Sequence, residues 1–200
     1  MVENIKKIMY INLDHRLDKK EQIENELNNY GLLYERHPGV FQSVNGSSKS
    51  HLEVLKKAKE NNYENILILE DDFMFVVSKE EFYENISLLF NSSINFDVCM
   101  ISYNIKKGEI CNDYPFLTKV FDAQTASGYI VNKGMYDKLI NLYEWSVPLL
   151  EKSGHHWLYA NDMVWKLIQP ESNWYCFTER MGIQRGCVSD NTGVYTFYGC

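Results

Sequence analysis

Glu70, Asp71 and Asp72 stand side by side directly after the apolar run Asn65-Ile66-Leu67-Ile68-Leu69. Three adjacent carboxylates are costly to hold together, because each charge raises the cost of ionising the next. A divalent cation relieves that repulsion, and carboxylate oxygens suit Mg²⁺ or Mn²⁺. An unbroken Ile/Leu run reads as a strand buried on both faces. The carboxyl edge of such a sheet is where α/β proteins bind ligands. The triplet therefore reads as a metal–diphosphate site, against the simpler alternative of a solvated acidic turn. A strand puts residues two apart on one side, which pairs Glu70 with Asp72. Asp72 is the first candidate for metal ligation. Glu70 joins it there, or orients ribose or ligated water. Asp71 faces the other way and counts among the donor-binding residues without a defined role.

Other constellations offer further chemistry. Asn12-Leu13-Asp14-His15-Arg16 closes a first strand-like run, where polar residues line a ligand crevice, and the planar fork of Arg16 suits phosphate. Ser50-His51 reads, on spacing alone, as a helix cap followed by a surface histidine. Asp162 opens an apolar helix, so it is either an N-cap or a base for an acceptor hydroxyl. Adjacent His155 and His156 point to different sides in most backbones, which argues against joint metal ligation. The polar stretch from Gln184 through Ser189 and Asp190 to Asn191 is either a frayed terminus or a lid over the donor site.

These groups need a scaffold, and the chain is long enough for one. Two hundred residues specify one domain with a real core. Twenty basic against 27 acidic residues argues against a nucleic-acid-binding domain. No apolar stretch approaches the roughly 20 residues of a membrane span. The first residues lack a signal-peptide pattern, so cytoplasmic residence is expected. The five scattered cysteines form no zinc pattern and read as free thiols, with a Cys176–Cys187 bridge left open.

Strands are expected at 5–13, 32–36, 65–69, 97–102, 116–121, 125–131 and 173–177. A helix is expected from Asp18 as its cap to about Tyr30, with Ile23 and Leu27 inward. A second follows the capping-box pattern Ser50…Glu53 to about Asn62, and a third follows Ser78…Glu81 through Phe90. Further helical stretches are expected at 134–145, 147–153 and 162–168. Alternating strands and helices predict an α/β fold with a mostly parallel central sheet flanked by helices. A nucleotide-binding half falls at about 1–105 and an acceptor-binding half at about 106–200.

Taken together, these motifs resemble glycosyltransferase family 25, which includes lipopolysaccharide sugar transferases and collagen-type glycosyltransferases. Tyr10-Ile11-Asn12-Leu13-Asp14-His15-Arg16 resembles its opening strand. Gly46-Ser47-Ser48-Lys49-Ser50-His51 resembles its Gly-Cys-x-x-Ser-His segment, with serine in place of the usual cysteine. Ile68-Leu69-Glu70-Asp71-Asp72-Phe73 is its most specific signature, and Thr125 to Val131, Asp162, Gln184 and Ser189-Asp190 are similar to later elements. The resemblance is strongest to the short viral collagen-type members. It implies a single GT-A (Rossmann-like) domain, a UDP-sugar donor (UDP-glucose or UDP-galactose) and Mn²⁺ or Mg²⁺. It places Asn12, Leu13 and Arg16 near the nucleotide and Ser50 and His51 near the donor pocket. It implies as acceptor the hydroxylysine or galactosyl-hydroxylysine of collagen-like protein, or alternatively a saccharide of lipopolysaccharide type. A homodimer is compatible with the sequence, which is silent on assembly. Two other classes compete: a Mg²⁺-dependent phosphohydrolase and a non-catalytic glycan-binding module. Many such phosphohydrolases need aspartate directly after the strand, where this chain has Glu70.

Overall fold

The structure, a computed structural model, describes residues 4–42, 44–188, 195–197 and 199–200, without the side chain of Cys187. The first part runs β1 (Ile8–Asn12), α1 (Leu17–Asn29), β2 (Glu35–Pro38), α2 (Gly46–Glu60), β3 (Asn65–Glu70), β4 (Phe73–Phe75) and α3 (Lys79–Asn91). There follow β5 (Val98–Met100), β6 (Asn104–Cys111), β7 (Tyr114–Gln124), β8 (Gly128–Asn132) and α4 (Tyr136–Ser153). The chain closes with α5 (His156–Tyr159), α6 (Asn161–Val164), β9 (Trp174–Phe177), β10 (Gly182–Gln184), β11 (Cys187–Val188) and β12 (Tyr195–Thr196).

Eight strands form the central sheet, in the order β2-β1-β3-β8-β5-β9-β7-β6. Pairing is parallel for β1 with β2, β1 with β3 and β5 with β9, and antiparallel elsewhere, so six strands point one way and only β8 and β7 the other. This is the expected α/β fold with a mostly parallel, mixed sheet. The unalternating run of β3 is buried as expected, and its side chains divide between two cores. Ile66 and Ile68 pack on the face with residues of α2 and α4; Leu67 and Leu69 pack on the face with residues of α1 and α3. Each such burial contributes on the order of 1.5–3 kcal/mol.

Local signals hold in some elements and yield to packing in others. Ser78 caps α3 as its pattern predicts, its hydroxyl accepting from Glu81 N at 3.2 Å, and Phe82, Ile86 and Leu89 are buried. Asp18 does not cap α1: the N-cap is Arg16, and Asp18 lies in the first turn. Ser50 does not cap α2 either. That helix begins four residues earlier at Gly46, where Gly46 N donates to Gln42 O, and Ser50 lies buried inside it. The second strand starts at Glu35 rather than Leu32, because Leu32 enters the core from the loop before pairing with β1 begins. The two helical stretches expected at 134–145 and 147–153 are one helix through Pro148, held by the buried Tyr143, Val147 and Leu150 and ended by Gly154 in the left-handed region. Cys176 is a free thiol, and the side chain of Cys187, its candidate partner, lies outside the described residues. Among the described residues, no helix is long and apolar enough to cross a membrane.

Candidate active site at the strand edge

The register that pairs Ile11 with Glu70 sets the ends of β1 and β3 side by side. Asn12, the last residue of β1, is 1% exposed and fully engaged. Its Nδ2 donates to Asp71 Oδ2 at 2.8 Å and to Arg16 O at 3.0 Å, while its Oδ1 accepts from Arg36 Nε at 2.9 Å. Arg36 also donates to Asn12 O and to Asp14. The strand-edge asparagine thus receives a guanidinium on one side and orients a carboxylate on the other.

Glu70 closes β3, and Asp71 and Asp72 form the turn into β4, so strand alternation does not govern the pair. The link between the two aspartates is Lys19. Its Nζ lies 3.4 Å from Asp71 Oδ1 and 3.3 Å from Asp72 Oδ2. All three residues are buried. Gln184 Nε2 donates to the same Asp72 oxygen at 3.3 Å, and Arg185 N donates to Asp72 O at 2.6 Å. Gln184 is brought there by the pairing of β10 with β4. That pairing needs Gly182, since a Cβ there would collide with the ring of Phe73. Burial raises the pKa of Asp71 to about 6, with the Asp72 and Glu70 charges adding to the effect and Lys19 and Asn12 opposing it. Asp72 is likewise raised, by burial and by Glu70.

Glu70 turns toward α2. Its Oε1 accepts from Ser47 Oγ at 3.1 Å and lies 3.2 Å from His51 Nε2, whose Nδ1 lies 2.7 Å from Tyr129 OH. Burial pushes Glu70 up, but the hydrogen bonds and charge of His51, with Ser47 and Lys19, hold it below its ordinary value. His51 is completely buried rather than a surface histidine. Ser50 instead ties backbone together: its hydroxyl donates to Gly46 O and accepts from Val40 N.

A cavity of about 310 Å³ opens beside Glu70, lined also by Asp162, Gln184 and the first turn of α2. Asp162 does not cap its helix; the N-cap is Ala160. Its Oδ2 accepts from the backbone N of Thr125 at 3.2 Å, and Thr125 has φ of +85°, unusual for a β-branched residue. Burial raises Asp162, Thr125 N lowers it, and Glu70 raises it further; the net direction is up. Two buried asparagines line the same cavity, and Asn45 Oδ1 and Asn161 Nδ2 make no hydrogen bond within the described chain. The same wall carries the hydroxyls of Ser47 and Ser48 and the amides of Gln124 and Gln184, a chemistry suited to a polyhydroxylated ligand.

The structure therefore gathers Asn12, Glu70, Asp71, Asp72 and Gln184 at one edge, with His51 behind Glu70 and Asp162 across the cavity. Arg16 closes its fork on Asp18 at 2.9 and 2.8 Å and also reaches Val188 O, holding Asp18 well below the usual carboxylate range. Leu13 is half-buried and contributes its carbonyl to Arg16 N. His156 lines the cavity, whereas His155 packs its ring against Trp157. Ser189 and Asp190 lie outside the described residues. Lys19 and Arg36 were missed by sequence reasoning. Lys19 had a signal: it lies four residues before Ile23 and eight before Leu27, on the buried stripe of α1.

Among the described residues, no three His, Cys, Asp or Glu side chains converge to hold an ion by themselves. A divalent cation nonetheless fits the donor set. Mg²⁺-type ions bind through one or two carboxylates plus substrate phosphates, and Asp72 already faces a cationic group, the ammonium of Lys19.

No protein-family model matches the chain, and no curated protein matches it. Among solved structures, it is similar to a glycosyltransferase involved in the glycosylation of the major capsid of PBCV-1, at 12% identity and a TM-score of 0.51, over 94% of this chain and 96% of that one. It is also similar to A197 from STIV, at 12% identity and a TM-score of 0.51, over 89% of this chain and 83% of that one. At these identities the likeness concerns the fold.

Proposed function

We propose that the chain is a metal-dependent glycosyltransferase of the family 25 type, moving glucose or galactose from a UDP-sugar to an acceptor hydroxyl. The observation that carries this reading is the juxtaposition of the Asn12–Asp71–Lys19–Asp72 network with a polar cavity that holds Glu70 and Asp162. The fold shared with a capsid-modifying glycosyltransferase supports it. Asp72, with Glu70 beside it, is the side chain that would hold Mn²⁺ or Mg²⁺, and the bound ion neutralises charge on the leaving diphosphate. Asn12 fixes Asp71, and Lys19 holds the two aspartates together in the metal-free protein. His51 and Ser47 fix Glu70, which with Gln184 faces the donor. The amide and hydroxyl groups of the cavity wall orient sugar hydroxyls. Asp162, its carboxyl pKa raised by burial, accepts the proton of the attacking hydroxyl in an inverting transfer.

The preferred acceptor is hydroxylysine or galactosyl-hydroxylysine in collagen-like protein, with a lipopolysaccharide-type saccharide as the second reading. UDP release from UDP-glucose and UDP-galactose, followed with and without Mn²⁺ and with each acceptor, tests the proposal. Metal-stimulated release that rises further with a hydroxylysine peptide is the expected result. No metal-dependent release with any donor and acceptor overturns the transferase reading, and phosphate release from simple phosphoesters would replace it with a phosphohydrolase.

A further inference from the structure

Lys19 is an unusual residue to find at the edge of a core. It shares the buried stripe of α1 with Ile23 and Leu27, and it is 6% exposed. Burying an ammonium is expensive unless it is paired and hydrogen-bonded. Here it is paired twice, with Asp71 Oδ1 and Asp72 Oδ2, at nearly equal distances of 3.4 and 3.3 Å. Its backbone is fixed by a helix whose next two turns are anchored in the core. The flexible part is the four-carbon stem, which lets the charge move while the helix stays in place. Asp72 is also the carboxylate to which the metal was assigned above, and this inference rests on that assignment.

A divalent cation on either oxygen of Asp72 would stand within several ångströms of the Lys19 ammonium, and two cations held that close in a buried site repel strongly. We infer that Lys19 is the resident counter-ion of the clamp and that a divalent cation must displace its ammonium from Asp72 in order to bind. The lysine keeps three neighbouring acids compact before the metal arrives. It also sets a threshold on metal affinity, so that the ion binds firmly only when substrate phosphates add their own oxygens. Once displaced, the ammonium stands beside the diphosphate, where a point-charge donor is useful.

The test is Mn²⁺ binding to the full chain, read from the paramagnetic resonance signal of free Mn²⁺, with no sugar donor present. Lys19→Met keeps the stem and removes the charge, and it should bind Mn²⁺ at least tenfold more tightly than the wild type. Lys19→Arg keeps a charge and should stay weak. Melting temperature gives a second readout: metal-free Lys19→Met should melt lower than wild type and gain more from Mn²⁺. Equal affinity in wild type and Lys19→Met, with Asp72→Asn losing the ion, overturns the inference and leaves the metal clamp standing. If Asp72→Asn binds Mn²⁺ like the wild type, the clamp assignment itself fails and takes this inference with it. Should Lys19→Met not fold, the wild type decides by amine acylation read by mass spectrometry. Lys19 should be modified several-fold faster with Mn²⁺ present, and an unchanged rate refutes the displacement.

Discussion

The strand-edge clamp and the neighbouring cavity differ in how they hold buried polar groups. In the clamp, Arg36, Asn12, Asp71, Lys19, Asp72 and Gln184 form a continuous chain of contacts. In the cavity, Asn45 Oδ1 and Asn161 Nδ2 are buried with no partner among the described residues, and Thr125 is held in a strained backbone conformation. Unsatisfied buried groups cost about 1–3 kcal/mol each. The clamp is thus built to hold itself together, whereas the cavity keeps hydrogen-bonding capacity in reserve. The difference teaches where to look for each ligand part: charge at the clamp, hydroxyls in the cavity.

Four substitutions would break or sharpen that contrast. The largest effect is expected for Asp162→Asn. The amide oxygen can still accept from Thr125 N, so the fold should survive while turnover falls about 10²–10⁴-fold. The pH profile carries a second check. Burial raises the Asp162 pKa, favouring its protonated form, so wild-type activity should fall as pH drops through a value above that of an ordinary aspartate, and the variant should lose that limb. Asp72→Asn comes next. Metal-stimulated UDP release should drop roughly 10²–10³-fold, while release without metal changes little. Gly182→Ala attacks the clamp indirectly, through the clash with Phe73. Denaturant unfolding should show a loss of about 1–3 kcal/mol, and a preserved stability would mean that β10 does not hold Gln184 in place. The smallest effect belongs to Ser47→Cys, which restores the residue of the resembled motif. It weakens one hydrogen bond to Glu70, and both stability and turnover should shift by less than about 1.5 kcal/mol.

The sequence made the fold class readable because β3 and α3 carry strong local signals: an unbroken apolar run and a serine cap with its glutamate. It made α2 misleading. Ser50-His51-Leu52-Glu53 has the form of a cap, but the preceding loop supplies backbone contacts that start the helix at Gly46, and Glu53 pairs with His37 instead. The hairpin strand β6 was invisible for a different reason: it is a largely exposed edge with no inward-facing pattern to betray it. The acids of the site were legible because like charges in a row demand an explanation. The partners that join them were not, since Arg36 lies on the adjacent strand β2 and reaches Asn12 only once β1 and β2 have paired. Lys19 was disguised by a charged helix start, and only its spacing to Ile23 and Leu27 distinguishes it from Lys20.

The contact between Asp162 and the Thr125 amide also gives the molecule an internal indicator. An amide proton aimed at a carboxylate changes its magnetic environment when that carboxylate takes up a proton. The Thr125 resonance should therefore trace the ionisation of Asp162 directly in a nitrogen-labelled sample, without turnover and without a bound sugar. A hexose entering the cavity would shift the midpoint of that trace, so a single backbone signal can register both the ionisation of Asp162 and the arrival of the proposed ligand.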